Sequence, residues 1–294
     1  MSGFAQWIAQ RRFPRVLLIG ALFPLGLLSL FSVAAVVMTA LLKGWRAAMA
    51  DCAMAGGALL LVALVAGGQW QPLLGSAVAS WGLAILLGAL TGRYASLLLA
   101  VQVLLVVVCG AVIAFTLAIG DPVGYWQGFL VDFAAELSEM GVQVAEPEAL
   151  ALLAPLMTGL VAASAVSSSL LALVIGAWWA GDAGGPGLGE MFVRLRLGRV
   201  VGLATAILGL LAAVGIGGLP GSLLLVLGTG FAVQGLAVAH WQARARNWPR
   251  ALLVLLYLPL MLGPSVAAVA WFCLASLGFV DNWYSLRRRD EDVI

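Results

Sequence analysis

Charge is what this sequence has least of. Only 10% of its 294 residues are Asp, Glu, Lys or Arg, whereas 63% are hydrophobic. Globular domains contain about 25% charged and about 45–50% apolar residues. A water-soluble domain of this length needs more polar surface than this chain has, so the composition excludes one. It predicts a protein embedded in lipid, where apolar side chains can face outward.

Reactive side chains are also scarce. There is one histidine, and the three cysteines, Cys52, Cys109 and Cys273, lie inside apolar stretches, which predicts neither a disulfide framework nor a metal site. The sequence has no Walker motif, no nucleophile elbow, no Cys/His cluster and no string of carboxylates for a proton relay. We therefore predict no catalytic residue and no cofactor, and the net charge of +2 argues against a nucleic-acid partner.

Long apolar runs are what the sequence does have. Six have the length needed to cross a hydrocarbon core, at 47–66, 73–90, 95–119, 149–180, 200–216 and 221–240. Two more are too long for one crossing and too short for two, 16–42 and 251–280. Both contain helix-breaking residues in the middle, namely Pro24, Gly26, Pro259, Gly263 and Pro264. We find no soluble domain and no convincing sequence repeat, so residues 1–294 are interpreted as a single integral membrane domain with an N-terminal half (16–119) and a C-terminal half (149–294).

The positions of the basic residues decide how the two interrupted stretches are read. If each is a hairpin that enters and leaves on one side, all 15 basic residues share that side; if each crosses once, they divide into 6 and 9. Lys and Arg concentrate on the cytoplasmic side of inner-membrane proteins. The sequence therefore predicts an all-α polytopic bundle in a bacterial inner membrane, with six spans, two hairpin segments and both termini in the cytoplasm. Loop 120–148, which contains no basic residue, is then exported.

The exported loop contains an amphipathic pattern. Apolar residues recur at three- and four-residue steps and predict a helix in the outer interface, at Trp126, Phe129, Leu130, Phe133, Leu137 and Met140. Such a helix either simply covers the bundle or acts as a lid over a solute cavity.

Polar residues inside the spans are the candidate binding groups, because they are expensive in lipid. They are interpreted either as helix contacts or as the lining of a solute cavity, and are Gln102, Thr116, Ser167, Ser168 and Gln234. Trp126, Phe129 and Phe133 would cover the outer mouth of that cavity. No charged side chain is expected deep in the six spans, so the solute would be neutral or amphipathic. We expect Asp51 to complement the start of its helix, with Arg46 near it.

Two late segments carry a family resemblance, "FAVQGLAVAH" at 231–240 and "LGFVDNWYSLRRR" at 277–289. They resemble motifs of the YybS-like family of bacterial multi-pass membrane proteins, through Gln234, Gly235, His240, Gly278, Asp281, Trp283, Arg287 and Arg289. That family is remotely similar to the substrate-binding subunits of energy-coupling-factor vitamin transporters. The resemblance implies a six-span core that binds a small solute. It also implies partner membrane subunits contacted through an Ala-xxx-Ala pair, a spacing that Ala5 and Ala9 have ahead of the first span.

These observations lead to a functional expectation. The chain is predicted to be a multi-pass inner-membrane protein, not an enzyme, with a transporter-like core that binds or moves a small neutral or amphipathic solute together with partner subunits. The alternative is a scaffold that transports nothing and recruits envelope or signalling proteins through its cytoplasmic loops and tail. In both cases the lipid bilayer is its surroundings.

The predicted topology can be tested by labelling. A cysteine introduced at Ser138, in the exported loop, should react with a membrane-impermeant reagent added outside the cell, whereas one at Ser285 should be protected. The 15-to-0 distribution of basic residues is the reason. Labelling at Ser285 and protection at Ser138 would reverse the orientation.

Overall fold

The computed structural model describes residues 2–67, 70–142, 147–185, 188–284 and 286–287, and within them the chain is helical without any strand. Its helices are α1 Ser2–Gln10, α2 Arg12–Leu22, α3 Ser29–Lys43, α4 Trp45–Val65, α5 Trp70–Tyr94, α6 Leu97–Ile119, α7 Pro122–Glu139, α8 Pro147–Asp182, α9 Gly189–Val193, α10 Arg199–Ala213, α11 Leu219–Ala245, α12 Arg250–Tyr257 and α13 Pro264–Tyr284. Two short 3-10 segments, Gly26–Leu28 and Leu258–Met261, interrupt the series.

Most of the predicted spans are confirmed. Seven helices of the described residues are long and apolar enough to cross a membrane: α3 with the 3-10 turn before it, α4, α5, α6, α8, α11 and α13. The predicted amphipathic helix of the exported loop is α7. The predicted span 200–216 is the exception, since α10 has 15 residues and a rise of 1.5 Å per residue makes it only about 22 Å long, against roughly 30 Å of hydrocarbon. It ends at Ala213 because the glycine-rich segment Gly215–Gly218 follows.

The chain forms two compact units that differ from the predicted halves. Unit 1 consists of residues 1–104 and 167–195, and unit 2 of 105–166 and 196–294. Each unit therefore takes its helices from both halves of the sequence.

The first interrupted stretch, in unit 1, is a hairpin as predicted. It turns at Pro24, between α2 and α3, and the Ser32 hydroxyl in α3 donates to the Ile19 carbonyl in α2 at 2.6 Å. Arg15, near the start of α2, bonds to Asp51 near the start of α4. Because α4 follows directly after α3, the stretch begins and ends at the same end of unit 1.

The second interrupted stretch, in unit 2, is a hairpin for the same topological reason. Helices α11 and α13 run parallel: Trp271 packs against Gly228, and further along both helices Gln242 donates to the Leu286 carbonyl. The chain must therefore return between them, through α12.

This returning segment is broken where the prolines stand. After α12 the chain tightens into a 3-10 turn containing Pro259, and α13 begins at Pro264. Gly263, between the two, has φ 114°, a value that side chains with a Cβ rarely adopt. The prediction that both stretches break near their prolines is thus confirmed.

Both units contain the same order of four helices, which we call the internal repeat. Helices α2–α5 and α10–α13 follow one another in the same way, with the second and fourth helix of each set parallel. In α5 and α13 five residues match at identical spacing: Ala77 and Ala267, Trp81 and Trp271, Leu87 and Leu277, Gly88 and Gly278, and Tyr94 and Tyr284.

The matched residues also make matching contacts. The Trp81 indole donates to Ser32 on α3 at 3.1 Å, and the Trp271 ring packs on Gly228 of α11. Seven residues after each tryptophan, a glycine lies against the backbone of the parallel helix: Gly88 against α3 and Gly278 against α11. A glycine lets two helices approach this closely in a membrane.

The glycine crossing can be tested with a matched pair of substitutions. A Cβ at Gly278 would overlap the Phe231 carbonyl oxygen, whereas one at Gly209, inside α10, would meet nothing within 4 Å. Gly278→Ala should therefore lower the free energy of unfolding by about 1–3 kcal/mol. Gly209→Ala should be neutral or stabilise by about 0.5–1 kcal/mol. Thermal unfolding in detergent measures both, and equal midpoints for the two variants would contradict the crossing.

Candidate functional site

A buried polar network in unit 2 contains the residues that carry the family resemblance. Gln234 lies fully buried on α11 beside the crossing with α13. Its amide oxygen accepts from the Leu197 N–H at 2.8 Å, and its amide nitrogen donates to the Gly278 carbonyl at 3.0 Å and to Asp281 Oδ2 at 2.9 Å. One side chain thus connects α11, α13 and the segment that precedes α10.

The charge of Asp281 is balanced inside the same network. Its side chain is 1% exposed, and Arg287 Nη2 donates to Oδ2 at 2.6 Å and Nε to Oδ1 at 3.3 Å. A carboxylate buried without such partners would carry a large desolvation penalty. The chain after α13 therefore folds back so that Arg287 neutralises Asp281.

Asn282 adds a second connection that the sequence reasoning missed. Its amide donates to the Gly198 carbonyl at 2.9 Å and accepts from the Gly198 N–H at 3.0 Å, a reciprocal pair. Arg196 Nη2 donates to the Asn282 carbonyl at 2.9 Å. A polar residue directly after Asp281 was visible in the sequence, but nothing in the sequence indicated Gly198 as its partner.

The other family-motif residues lie outside this network. His240 Nδ1 lies 2.9 Å from the Leu236 carbonyl oxygen, which can only accept, so Nδ1 carries the proton. The Tyr257 hydroxyl donates to Nε2 at 3.1 Å. Trp283 is 44% exposed and its ring packs on Phe279. Arg289 lies outside the described residues.

Unit 1 has its own buried charge, where the sequence led us to expect none. Asp51 accepts from Arg12 Nε at 2.9 Å and from Arg15 Nε at 2.6 Å, and Asp51 and Arg15 are almost completely buried. Arg46, which we expected near Asp51, is not its ion-pair partner. The Arg46 guanidinium lies over the Trp45 ring, 5.2 Å from the centroid. The hairpin causes the difference, since it brings the start of α2 beside the start of α4.

The residues predicted to line a solute cavity are distributed over the two units. Gln102, Ser167 and Ser168 belong to unit 1, and Thr116 and Gln234 to unit 2. Gln102 is half-buried on α6, and the two serines lie at exposed positions of α8. Thr116 donates to its own helix, at Val112. Gln234 is engaged in the network already described.

The residues predicted to cover the outer mouth do lie together. Trp126 is half-buried and its indole donates to the Thr158 hydroxyl on α8 at 2.8 Å, which fixes α7 to that helix. The rings of Phe129 and Phe133 stack at 6.1 Å, and each residue is 47% exposed. Both readings of α7, cover and lid, fit this arrangement.

The polar groups around Asp51 and around Gln234 bond within each site and so stabilise the fold. The buried charges just described are paired, and no three His, Cys, Asp or Glu residues in the described ranges come close enough to hold a metal ion. The Gln234 network holds three chain segments together: α11, α13 and the segment that precedes α10.

Gln234→Leu tests whether the Gln234 network stabilises the fold. Leucine removes the partner of the Leu197 N–H and one partner of Asp281, so stability should fall by about 2–4 kcal/mol. Gln242→Leu, on the same helix, is the control because its bond to Leu286 is long and exposed. Thermal unfolding in detergent should separate the two variants. If both unfold at the wild-type temperature, the network does not support the fold.

Comparison with known proteins adds no relative. No protein-family model matches the chain, and neither the curated proteins nor the solved structures contain a match. The resemblance to the YybS-like family therefore stays a prediction that rests on the two quoted motifs.

Proposed function

We propose that this multi-pass membrane protein resides in a bacterial inner membrane and has a transporter-like core, which binds or moves a small neutral or amphipathic solute together with partner subunits. Among the described residues, seven helices of spanning length and composition make it multi-pass.

The internal repeat is the observation that carries it. Many transporters are built from repeated helical units, either inverted or parallel. Here basic residues flank the same helix ends in both units: before the first helix, between the second and third, and after the fourth. The support is architectural, so the function must be tested at the site itself.

The class of solute is argued from the charges. Asp51 and Asp281 are both buried and both paired with arginine, so neither offers a charge to a solute. The other polar groups of the spans are uncharged amides and hydroxyls among apolar side chains. Ligand pockets with few polar groups select neutral or amphipathic molecules.

Partner subunits would have to use a surface other than the Ala-xxx-Ala pair. Ala5 and Ala9 have that spacing, but they are 2% and 9% exposed. Within unit 1 they are packing residues and cannot receive a partner helix in this conformation.

Ligand retention tests the proposal. The full-length protein is purified in lipid nanodiscs, and mass spectrometry measures the small molecules retained per protein. Gln102→Leu should reduce retention about three- to tenfold, as expected for one lost hydrogen bond. Gln71→Leu, at an exposed position near the start of α5, should leave retention unchanged.

Two outcomes would count against a transporter-like core. Wild-type protein that retains nothing beyond empty nanodiscs would oppose it, and so would equal retention in all variants. A stoichiometric protein partner found together with no retained molecule would favour the scaffold.

A further inference from the structure

Helix α1 buries its small and aliphatic residues and exposes its aromatic ones. Ala5, Ile8 and Ala9 lie buried against unit 1, whereas the aromatic side chains of Phe4 and Trp7 are 48% and 45% exposed. Phe13, at the start of α2, is also an exposed aromatic residue, at 78%. Large aromatic side chains usually fill the core, so their exposure on so short a segment indicates that they contact something outside the chain.

The buried charge of unit 1 holds α1 in this position. Arg15 Nη1 donates to the carbonyls of Ile8 and Ala9 at 3.4 and 3.2 Å, at the end of α1, while its Nε donates to Asp51. Because Asp51 lies near the start of α4, α1 is fixed at the end of unit 1 where α3 ends and α4 begins.

A second contact docks α1 on the end of α8. The Gln6 amide donates to the Asp182 carbonyl at 3.4 Å, and the Phe4 ring meets the Trp179 ring edge-on with centroids 6.2 Å apart. Helix α1 is therefore anchored at both of its ends.

This end of unit 1 is strongly basic. Residues 1–50 contain five basic residues and no acidic one. Arg11, Lys43 and Arg46 are exposed there, and the Arg11 side chain makes no hydrogen bond or ion pair with another described residue. The charge of Asp51 is neutralised by Arg12 and Arg15. The other acidic residues of unit 1 are Asp182 and Glu190.

We propose that α1 and Arg11–Phe13 form a binding surface for anionic phospholipid headgroups of the cytoplasmic leaflet. Interfacial helices place aromatic side chains at headgroup depth, and basic residues beside them attract anionic lipid. Phe4, Trp7 and Phe13 supply the aromatic part of this surface and Arg11 its charge. This inference does not rest on the proposed transport of a solute.

Lipid binding to the full-length protein tests the surface. Native mass spectrometry in detergent counts the molecules of phosphatidylglycerol or phosphatidylcholine that remain bound. Wild type should prefer phosphatidylglycerol, and Arg11→Gln should weaken that preference about fivefold, since each arginine at an anionic surface contributes a factor of that order. Trp7→Ala should weaken the binding of both lipids. The unfolding temperature of Arg11→Gln should equal that of wild type, because glutamine keeps the backbone bond to Trp7 and the Arg11 side chain bonds to no other described residue.

The controls separate this surface from general attraction. Arg199→Gln, an equal loss of charge at an exposed position in unit 2, should keep the wild-type preference. Excess inorganic phosphate should leave the bound lipid in place. The proposal is overturned if wild type shows no preference, if Arg199→Gln loses as much as Arg11→Gln, or if free phosphate displaces the lipid.

Discussion

Hydrocarbon offers no hydrogen-bond partners, so each polar group that a membrane helix buries has to be bonded by the chain itself. Two side chains show how this protein meets the constraint. Asp51 is almost completely buried and receives two arginines, and Gln234 is fully buried and is bonded at both its oxygen and its nitrogen. Each of these side chains lies where several segments converge, so the need to bond one group determines the position of all of them. The placement of α1, the hairpin of α2 and α3, and the docking of the segment before α10 follow from these two centres.

Close helix contact is the second feature that both units share. In each unit two parallel helices meet at a glycine, and a tryptophan one heptad earlier packs on a small residue of the neighbouring helix. Van der Waals packing and interhelical hydrogen bonds hold helices together where no hydrophobic effect does. The polar centres differ between the units: unit 1 secures its first and third helices through Asp51, and unit 2 secures its second and fourth through Gln234. The repeat thus preserves the packing and varies the polar connection.

This distribution of polar groups bears on function. The buried charges of Asp51 and Asp281 are paired within the chain, whereas exposed aromatic side chains on α1 and on α7 lie beside charges of opposite sign. Helix α1 lies beside arginines, whereas α7 displays Phe129 and Phe133 with Asp132, Glu136 and Glu139 exposed along it. The two aromatic surfaces therefore lie beside charges of opposite sign.

The sequence by itself determined the class, most helix positions and the two hairpins, because hydrophobic length, proline position and the count of basic residues each follow from how a single segment behaves in a bilayer. The short α10 was overestimated, since apolar character continues past the glycines that end the helix. The partners of Asp51 and Gln234, the Asn282–Gly198 pair and the internal repeat required the tertiary structure. Arg15 and Asp51 are 36 positions apart, and Gln234 and Asp281 are 47 apart. No periodicity within one helix indicates which distant helix will lie beside it. In the repeat, five matching residues are dispersed among apolar side chains that any span could contain, and only the contacts of the tryptophans and glycines with α3 and α11 identify them as counterparts.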